Sequence, residues 1–540
     1  MIADAPKRDR SVIVPLVPAP GMVTDTTNYA ARGGYWNGDA VRFSGPYPEK
    51  IGGWVRLHPK TWSGTVQTMF HWADLTTVQR TLLGSTGGLY LALEGTGVFD
   101  VTPSGLTLVS GPVAGWGASG WGVGGWGAGT TLTIDNAEPS HWSFDAWGED
   151  VLCNPRGFPI YYYDVTTPTT AAVALSSLVG AADVPAAAIQ VMVEPELRYA
   201  IAFGCTPIGA SARDPMFVRW ADRGSVLNWT PSPTTTAGGQ RLAAGSRIVI
   251  AHKLRREIVI FTDTSLYSMQ ATNAGTSAFA FPLVAPKTSI IGPQAAAVAR
   301  DDRLFWMERN GFAVYDGRVR PLVCPVQDFV FDNLNTGRAN QVIAGENPYF
   351  KEIWWFYPSL GSTVNNRYVV YNYEQDIWYF GTQVQRSAWL YSPLLAQPIA
   401  ASDQGVFRHE QGWDNLDTGS PAPLVSFIQT APFDVAEGNE VVAVQELIPD
   451  FKFGGFAGPS GTSVQVQVQA SDYPGASYSD IDSQSVAGGS PFGVDVWPFT
   501  PRVDVRARGR KMTLTIVNAQ LGAAWKSGAH RLRVRSDGRR

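Results

Sequence analysis

The feature that most constrains the fold is a pair of short apolar runs joined by a turn, which recurs between residues 60 and 420. The runs are rich in β-branched and aromatic side chains, which is typical of β-strands. The pairs are 81–84 with 88–91, 151–153 with 160–163, 199–203 with 217–220, 258–261 with 265–269, 304–307 with 311–315, 353–357 with 368–371, and 399–401 with 405–407. Hairpins that return at this scale predict a β-propeller, whose blades bury their faces against one another. Because the spacing of the hairpins is irregular, the sequence is compatible with either six or seven blades.

The regions on either side of this repeat differ from it. Residues 1–60 predict an extended N-terminal arm with the first strands, because Pro15, Pro18 and Pro20 exclude a helix. Residues 61–424 form the predicted propeller. Residues 425–540 contain strictly alternating runs such as 464–469, which predict a C-terminal antiparallel β-sandwich or jelly roll. We therefore expect an all-β chain in which the Ala-rich segment 170–188, interrupted by glycine and proline, is the best candidate for a helix.

Charge and cysteine content narrow the class of protein. The 540 residues include 42 basic and 46 acidic side chains, which give a formal net charge of −4. A dedicated nucleic-acid binder would need concentrated Lys and Arg, so this balance argues against one. No apolar run approaches the length of a membrane span. Three widely separated cysteines fit neither a disulfide framework nor a metal knuckle, and indicate a chain made in a reducing cytoplasm.

A glycine-rich segment at 111–129 carries Trp116, Trp121 and Trp126 at intervals of five residues. It matches the G-x-G-x-x-G pattern, but a dinucleotide site requires a following helix, and the residues that follow it resemble a strand. We interpret it as a long loop whose tryptophans contact either the chain's own surface or a neighbouring subunit.

No pattern in the chain indicates catalysis, a metal or a cofactor. The six histidines are scattered, without metal-ligand spacing. Neighbouring acids could in principle serve a glycosidase, but in glycine-rich β proteins they usually lie in turns. The acids considered are Glu194 with Glu196, Asp301 with Asp302, Asp145 with Glu149 and Asp150, and Asp480 with Asp482.

The C-terminal segment from Arg502 to Arg540 is locally basic. If strand alternation holds, Arg531, Arg533 and Arg535 share one face. That face is either solvated or a docking surface for an acidic partner, since arginine pairs bidentately with carboxylates.

Short motifs along most of the chain resemble a family of short-tailed bacteriophage proteins, the tail nozzle, phage stabilisation and tail tubular B-like proteins. They include Asp39-Ala40-Val41-Arg42-Phe43 with the following 48–54, and 142–150, 219–222, 261–267 and 508–512. The resemblance implies a virion tail protein, made in the host cytoplasm, that forms a usually sixfold ring. Such a ring docks to portal or adaptor proteins, carries fibres, tailspikes or a plug, and lets genomic DNA pass without tight binding.

Two other classes of function stay open from the sequence. A glycan-binding propeller would use Trp116, Trp121 and Trp126 as a stacking platform for sugars. An enzyme that attacks cell-surface polysaccharide would need a cleft with converging carboxylates.

Overall fold

The computed structural model describes residues 11–26, 31, 33–108, 141–194, 196–272, 278–434, 440–455, 461–471 and 493–537. The Gly/Trp segment 111–129, with Trp116, Trp121 and Trp126, lies outside these residues. The described chain is all-β, as predicted, and consists of a β-propeller joined to a C-terminal β-sandwich. The first five strands are β1 (Val12–Leu16), β2 (Tyr35–Asp39), β3 (Val41–Ser44), β4 (Tyr47–Lys50) and β5 (Trp54–Pro59).

Six blades of the propeller follow in chain order, each an antiparallel meander. Blade 1 comprises β6 (Val66–Ala73), β7 (Gln79–Ser85), β8 (Leu89–Leu93) and β9 (Gly97–Asp100), and blade 2 comprises β10 (Trp142–Trp147), β11 (Asp150–Pro155), β12 (Tyr161–Tyr163) and β13 (Val173–Ala174). Blade 3 comprises β14 (Gln190–Glu194), β15 (Tyr199–Phe203), β16 (Phe217–Trp220) and β17 (Gly238–Arg241), and blade 4 comprises β18 (Ile248–Lys253), β19 (Ile258–Thr262), β20 (Ser265–Ala271), β21 (Phe279–Ala280) and β22 (Leu283–Pro286). Blade 5 comprises β23 (Ala296–Val298), β24 (Leu304–Met307), β25 (Phe312–Tyr315) and β26 (Val319–Leu322), and blade 6 comprises β27 (Ile343–Asn347), β28 (Glu352–Tyr357), β29 (Arg367–Asn372) and β30 (Ile377–Gly381).

Blade 7 closes the ring with strands from both ends of the repeat. It contains β31 (Ala388–Leu390), β32 (Ile399–Ser402) and β33 (Gly405–His409), followed by the short β34 (Asp414–Asn415) and β35 (Ala422–Pro423). Its fourth strand is β5, which pairs antiparallel to β33. The innermost strand β31 contacts β6 of blade 1, so the circle is complete. The described residues therefore form seven blades, and each hairpin identified in the sequence is the second and third strand of one blade.

Large aromatic side chains fill the space between blades. Trp354, Trp355 and Trp378 of blade 6 are fully buried, and the rings of Trp354 and Trp389 stack at 5.7 Å between blades 6 and 7. Gly345 in β27 allows this approach, because a Cβ atom there would lie 2.0 Å from Cδ1 of Trp389. Aromatic pairs of this kind stabilise a core beyond the area that they bury.

Helix is scarce, as the glycine and proline content predicts. In the part of the chain that the structure describes, the single α-helix is α1 (Gln327–Phe331), and 3-10 turns occupy Leu175–Ser177 and Thr336–Gln341. The Ala-rich segment 170–188, the best helix candidate in the sequence, instead contains β13 and the first of these turns. Its backbone therefore forms the outer strand of blade 2 and then continues to blade 3, where Ala182 forms a β-bridge with Asn228.

The sandwich is built from the remaining strands, β36 (Ser426–Thr430), β37 (Val442–Ile448), β38 (Phe451–Gly455), β39 (Val464–Ser471), β40 (Val494–Val496), β41 (Val503–Gly509), β42 (Lys511–Asn518), β43 (Ala523–Ser527) and β44 (His530–Ser536). They do not form the domain alone. One sheet has the order β1-β44-β37-β41, a second the order β2-β36-β42-β39-β40, and a third the order β3-β4-β43-β38. The segment that the sequence describes as an N-terminal arm therefore divides between the sandwich, which receives β1 to β4, and blade 7, which receives β5.

A buried ion cluster joins the two domains at Arg42. Its guanidinium donates to both oxygens of Glu352, at 2.8 and 3.1 Å, and to both oxygens of Glu410, at 2.8 and 2.5 Å. The guanidinium lies 3.5 Å above the ring of Phe350, and Glu352 also accepts hydrogen bonds from Tyr379 and Trp354. Burial alone would lower the pKa of Arg42. The negative charges of Glu352 and Glu410 outweigh this effect and raise the pKa. We call Arg42, Glu352 and Glu410 the clamp.

Asp39, three residues before Arg42, makes a second link to the propeller. Its carboxylate accepts hydrogen bonds from the hydroxyls of Tyr368, at 3.0 Å, and Thr382, at 2.6 Å. Burial raises the pKa of Asp39, and these bonds oppose that rise. Both charged residues of the Asp39–Phe43 motif thus hold the sandwich strands β2 and β3 against blades 6 and 7.

Candidate functional site

The arginines predicted to share a face do so on β44. Leu532 and Val534 are buried in the sandwich core, whereas Arg531, Arg533 and Arg535 alternate with them on the outer side. This arrangement follows from the two-residue period of a strand. The sequence prediction concerned shared orientation, and the structure brings the three side chains together as expected.

Neighbouring strands extend this basic surface and supply its counter-charges. Arg506 and Arg508 lie on the outward side of β41, at the far edge of the same sheet. On β37, between them and β44, Glu446 accepts a hydrogen bond from Arg533 at 2.9 Å. We call Arg506, Arg508, Arg531, Arg533 and Arg535 the arginine face.

Asp537 completes the counter-charges at one end of the arginine face. It lies 2.5 Å from Arg508 and 3.8 Å from Arg535. The hydrogen bond and the positive charge of Arg508 lower the pKa of Asp537. Asp504 also lies on the outer side of β41, beside Arg506. The five arginines outnumber the acids Glu446, Asp504 and Asp537 beside them, and the net positive charge of this side of the sheet would attract an acidic partner.

The strand β1 borders the arginine face and is an open edge. It pairs with β44 on one side, with Val12 opposite Val534 and Ile13 opposite Arg533, and it ends the described sheet on the other side. Val12 is 57% exposed and Ile13 is 45% exposed, and they lie on opposite faces of the strand. An open edge with apolar side chains is a template for pairing with another strand.

Sequence reasoning missed Glu446 and the role of β1. Strict alternation along Val442–Ile448 would place Glu446 on the inner side with Val442 and Val444, but a β-bulge between Val444 and Glu446 turns it to the outer side. No local pattern indicates which strand it pairs with, so its position opposite Arg533 required the structure.

The acids considered for catalysis are engaged in structural bonds. Asp145 lies 2.6 Å from Lys253, Asp150 accepts from the hydroxyl of Tyr162 at 2.5 Å, and Glu194 accepts from the backbone N–H of Leu197 at 2.6 Å. Asp301 pairs with Arg303, and Asp302 accepts from the backbone of Arg255 at 2.9 Å. Asp480 and Asp482 lie outside the described residues. Glu149 accepts a hydrogen bond from the backbone N–H of Leu75 at 3.4 Å. These bonds identify Asp145, Asp150, Glu194, Asp301 and Asp302 as turn or pairing groups.

The three cysteines and four of the six histidines, His58, His141, His409 and His530, are buried. Cys153, Cys205 and Cys324 are buried free thiols, and burial raises the pKa of Cys205 to about 12. Such thiols are inert, because the reactive species is the thiolate. Among the described residues, no group of three or more His, Cys, Asp or Glu side chains could hold a metal ion.

Comparison with known proteins gives distant structural similarity only. No protein-family profile matches the chain, and no curated protein matches it. Among solved structures, the chain is similar to YCF48 from Cyanidioschyzon merolae, with a TM-score of 0.38 and 7% identity over 67% of this chain and 99% of that one. It is also similar to the extracellular domain of a putative one-component system from B. thetaiotaomicron, with a TM-score of 0.39 and 8% identity over 88% of this chain and 59% of that one. None of the helices in the described residues has the length and apolar character that crossing a bilayer would require.

Proposed function

We propose that this protein is a virion structural protein of a short-tailed bacteriophage and that it forms the ring-shaped tail nozzle through which genomic DNA leaves. In this role, identical copies assemble into a ring, with six copies expected from the family resemblance. The ring docks to portal or adaptor proteins above it and carries fibres, tailspikes or a plug.

The observation that carries the proposal is the arginine face beside the open edge of β1. A strand edge with exposed Val12 and Ile13 is a liability for a protein that works alone, because it invites pairing with other chains. In a head-to-tail ring, each copy covers such a surface on the next copy. The adjoining arginines add charge that orients the partner.

The clamp gives further support. Asp39 and Arg42 belong to the motif that resembles the phage family, and in this fold they fasten the sandwich to the propeller. A ring subunit under load from a packaged genome requires domains that do not separate. Broken buried ion pairs are costly, so the clamp resists separation of the two domains.

The charge of the chain is consistent with a conduit. The net charge of −4 provides no general attraction for phosphate groups. Each phosphate contact would retard DNA in transit, so a passage for DNA benefits from weak binding.

The test is the assembly state of the purified full chain, measured by light scattering and negative-stain microscopy. We expect a ring with a central hole. A variant with Arg531→Glu, Arg533→Glu and Arg535→Glu should yield smaller species, because the like charges of neighbouring copies then repel. A matched variant with Arg223→Glu, Arg255→Glu and Arg256→Glu changes exposed propeller arginines by the same total charge and should still assemble.

The outcomes separate the parts of the proposal. A wild-type protein that stays monomeric at high concentration contradicts the ring. A ring that forms equally well in both variants retains the assembly but excludes the arginine face as its interface.

A further inference from the structure

A polar cavity of about 710 Å³ opens on one face of the propeller, where blades 6, 7 and 1 meet. It is lined by turns between the second and third strands of these blades, represented by Thr86, Asn365 and Gln404. Gln385, in the connection that enters the innermost strand of blade 7, lines it as well. The cavity is distinct from the arginine face, which lies on the sandwich.

The lining is polar and balanced in charge. Of its 19 residues, seven carry side-chain amides and five carry hydroxyls. The charged members are two arginines and two aspartates, and the aliphatic ones are Ile343 and Val364. This composition does not attract phosphate or a polyanion, because the formal charges cancel. It also lacks the apolar surface that a hydrophobic ligand requires.

Three buried polar atoms of the lining residues have no hydrogen-bond partner in the described part of the chain. They are Oε1 of Gln67, Oδ1 of Asn365 and Nη2 of Arg386, and each of these residues is more than nine-tenths buried. A buried polar atom without a partner costs about 1–3 kcal/mol. These atoms are shielded from solvent, so the chemistry of a ligand follows from the lining as a whole. Its seven amides and five hydroxyls include both donors and acceptors, which suits a ligand that both donates and accepts hydrogen bonds.

Arg386 is held in place before any ligand arrives. Its Nε donates to Nε2 of His409 at 2.8 Å, and its Nη1 donates to the carbonyl of Gln385 at 2.7 Å. The guanidinium lies 4.7 Å from the ring of Trp54 and 4.8 Å from the ring of Phe407. A group fixed in this way loses little side-chain entropy on binding.

We propose that this cavity binds a neutral saccharide. Each sugar hydroxyl both donates and accepts a hydrogen bond, and the amides of the lining have the same dual capacity. A peptide would need apolar subsites for its side chains, which two aliphatic residues do not supply. The site is independent of ring assembly and would give the propeller a recognition role in addition to a structural one.

The experiment measures binding of the full-length protein to a glycan array and, by calorimetry, to maltotriose, cellotriose and chitotriose. We expect binding to neutral glycans with no preference for acidic ones. Gln67→Leu should weaken binding about tenfold, because the amide's hydrogen bonds contribute roughly 1.4 kcal/mol. Gln240→Leu is the matched control, since Gln240 is exposed on β17 of blade 3, and it should bind as the wild type does.

A second variant keeps the test decisive if Gln67→Leu does not fold. Thr363 is exposed at the rim, and Thr363→Trp should block the mouth without altering a buried side chain. The proposal is overturned if no neutral glycan binds, if acidic glycans or peptides bind in preference, or if binding survives Thr363→Trp unchanged. Ordered water as the sole occupant of the cavity would also overturn it.

Discussion

Arg42 and Glu352, 310 residues apart in sequence, form a two-point ion pair in which both side chains are almost completely buried. The pair connects strand β3 of the sandwich to strand β28 of blade 6, and Glu410 binds the same guanidinium from blade 7. Among the described residues, Arg42 is the only cation in a salt bridge with Glu352 or Glu410. Both carboxylates therefore depend on Arg42 for their counter-charge.

We predict that Arg42→Met destabilises the protein by about 3–5 kcal/mol, because the fully buried Glu352 and the partly buried Glu410 lose their counter-charge. The midpoint of urea unfolding measures this change. Arg408→Met is the control, since it removes an exposed pair with Glu94 and should cost less than about 1 kcal/mol.

Removing all three charges of the clamp should restore most of the stability. In the variant Arg42→Met, Glu352→Met, Glu410→Met, no unpaired charge is left in the junction, and apolar packing replaces the ion cluster. If Arg42→Met alone unfolds no earlier than Arg408→Met, the clamp does not hold the domains together.

In a chain that begins at residue 60, neither the propeller nor the sandwich should fold. It lacks β5, which completes blade 7, and β1 to β4, which belong to the three sandwich sheets. We expect aggregation or broad, uncooperative thermal melting, measured by circular dichroism. A chain that begins at residue 11 retains every described strand and should melt like the full chain; equal melting of the two truncated chains would contradict the shared-strand topology.

Acid should destabilise the sandwich through His530. Burial lowers the pKa of this imidazole to about 4, while Nδ1 accepts from the backbone of Asp450 and Nε2 meets the hydroxyl of Ser527. Since the folded pKa lies below the unfolded value, the stabilisation is complete above about pH 6.5 and is lost as the pH falls towards 4. Between pH 7.5 and pH 5 the loss amounts to about 2 kcal/mol.

The variant His530→Gln tests this dependence, because it removes the titrating group. Its stability, measured by urea unfolding at several pH values, should decline less steeply from pH 7.5 to pH 5 than that of the wild type. Parallel curves would show that the imidazole of His530 does not supply this pH dependence.

We predict that the purified protein does not retain duplex DNA at about 0.15 M salt, where charges separated by more than about 8 Å are screened. A conduit that bound the phosphate groups of DNA would release the DNA slowly. A net charge of −4 does not favour phosphate binding. Electrophoretic mobility shift measures retention. Tight binding that weakens steeply with salt, and that is lost in the triple Arg→Glu variant of β44, would instead identify the arginine face as a DNA-binding surface.

The hairpins were predictable because their information is local. The second and third strands of each blade are apolar runs that are close in sequence, as in β24 and β25. Outer strands such as β13, with two residues, are too short to leave a pattern. The paired residues of β5 and β33 are separated by between 346 (Pro59 and Gly405) and 355 (Trp54 and His409) positions, and strand composition does not specify partners at such separations.

The features of the candidate site also fall into those that one strand predicts and those that depend on the assembled fold. Alternation alone placed Arg531, Arg533 and Arg535 on one face, since orientation depends on the period of a single strand. The opposing Glu446, the open edge at Val12 and the cavity around Gln67 depend on which strands and blades become neighbours. Those relationships arise from the assembled fold.

The pairing of Val12 with Val534 also determines when the molecule can be completed during synthesis. A ribosome that has produced β1 must add more than 500 further residues before β44 can join it, and domains otherwise fold in order from the N-terminal side. Until then β1 remains without its partner, whereas β3 can already pair with β4, and β5 with β33. The sheet that contains β1 is therefore completed only after all seven blades of the propeller have been synthesised.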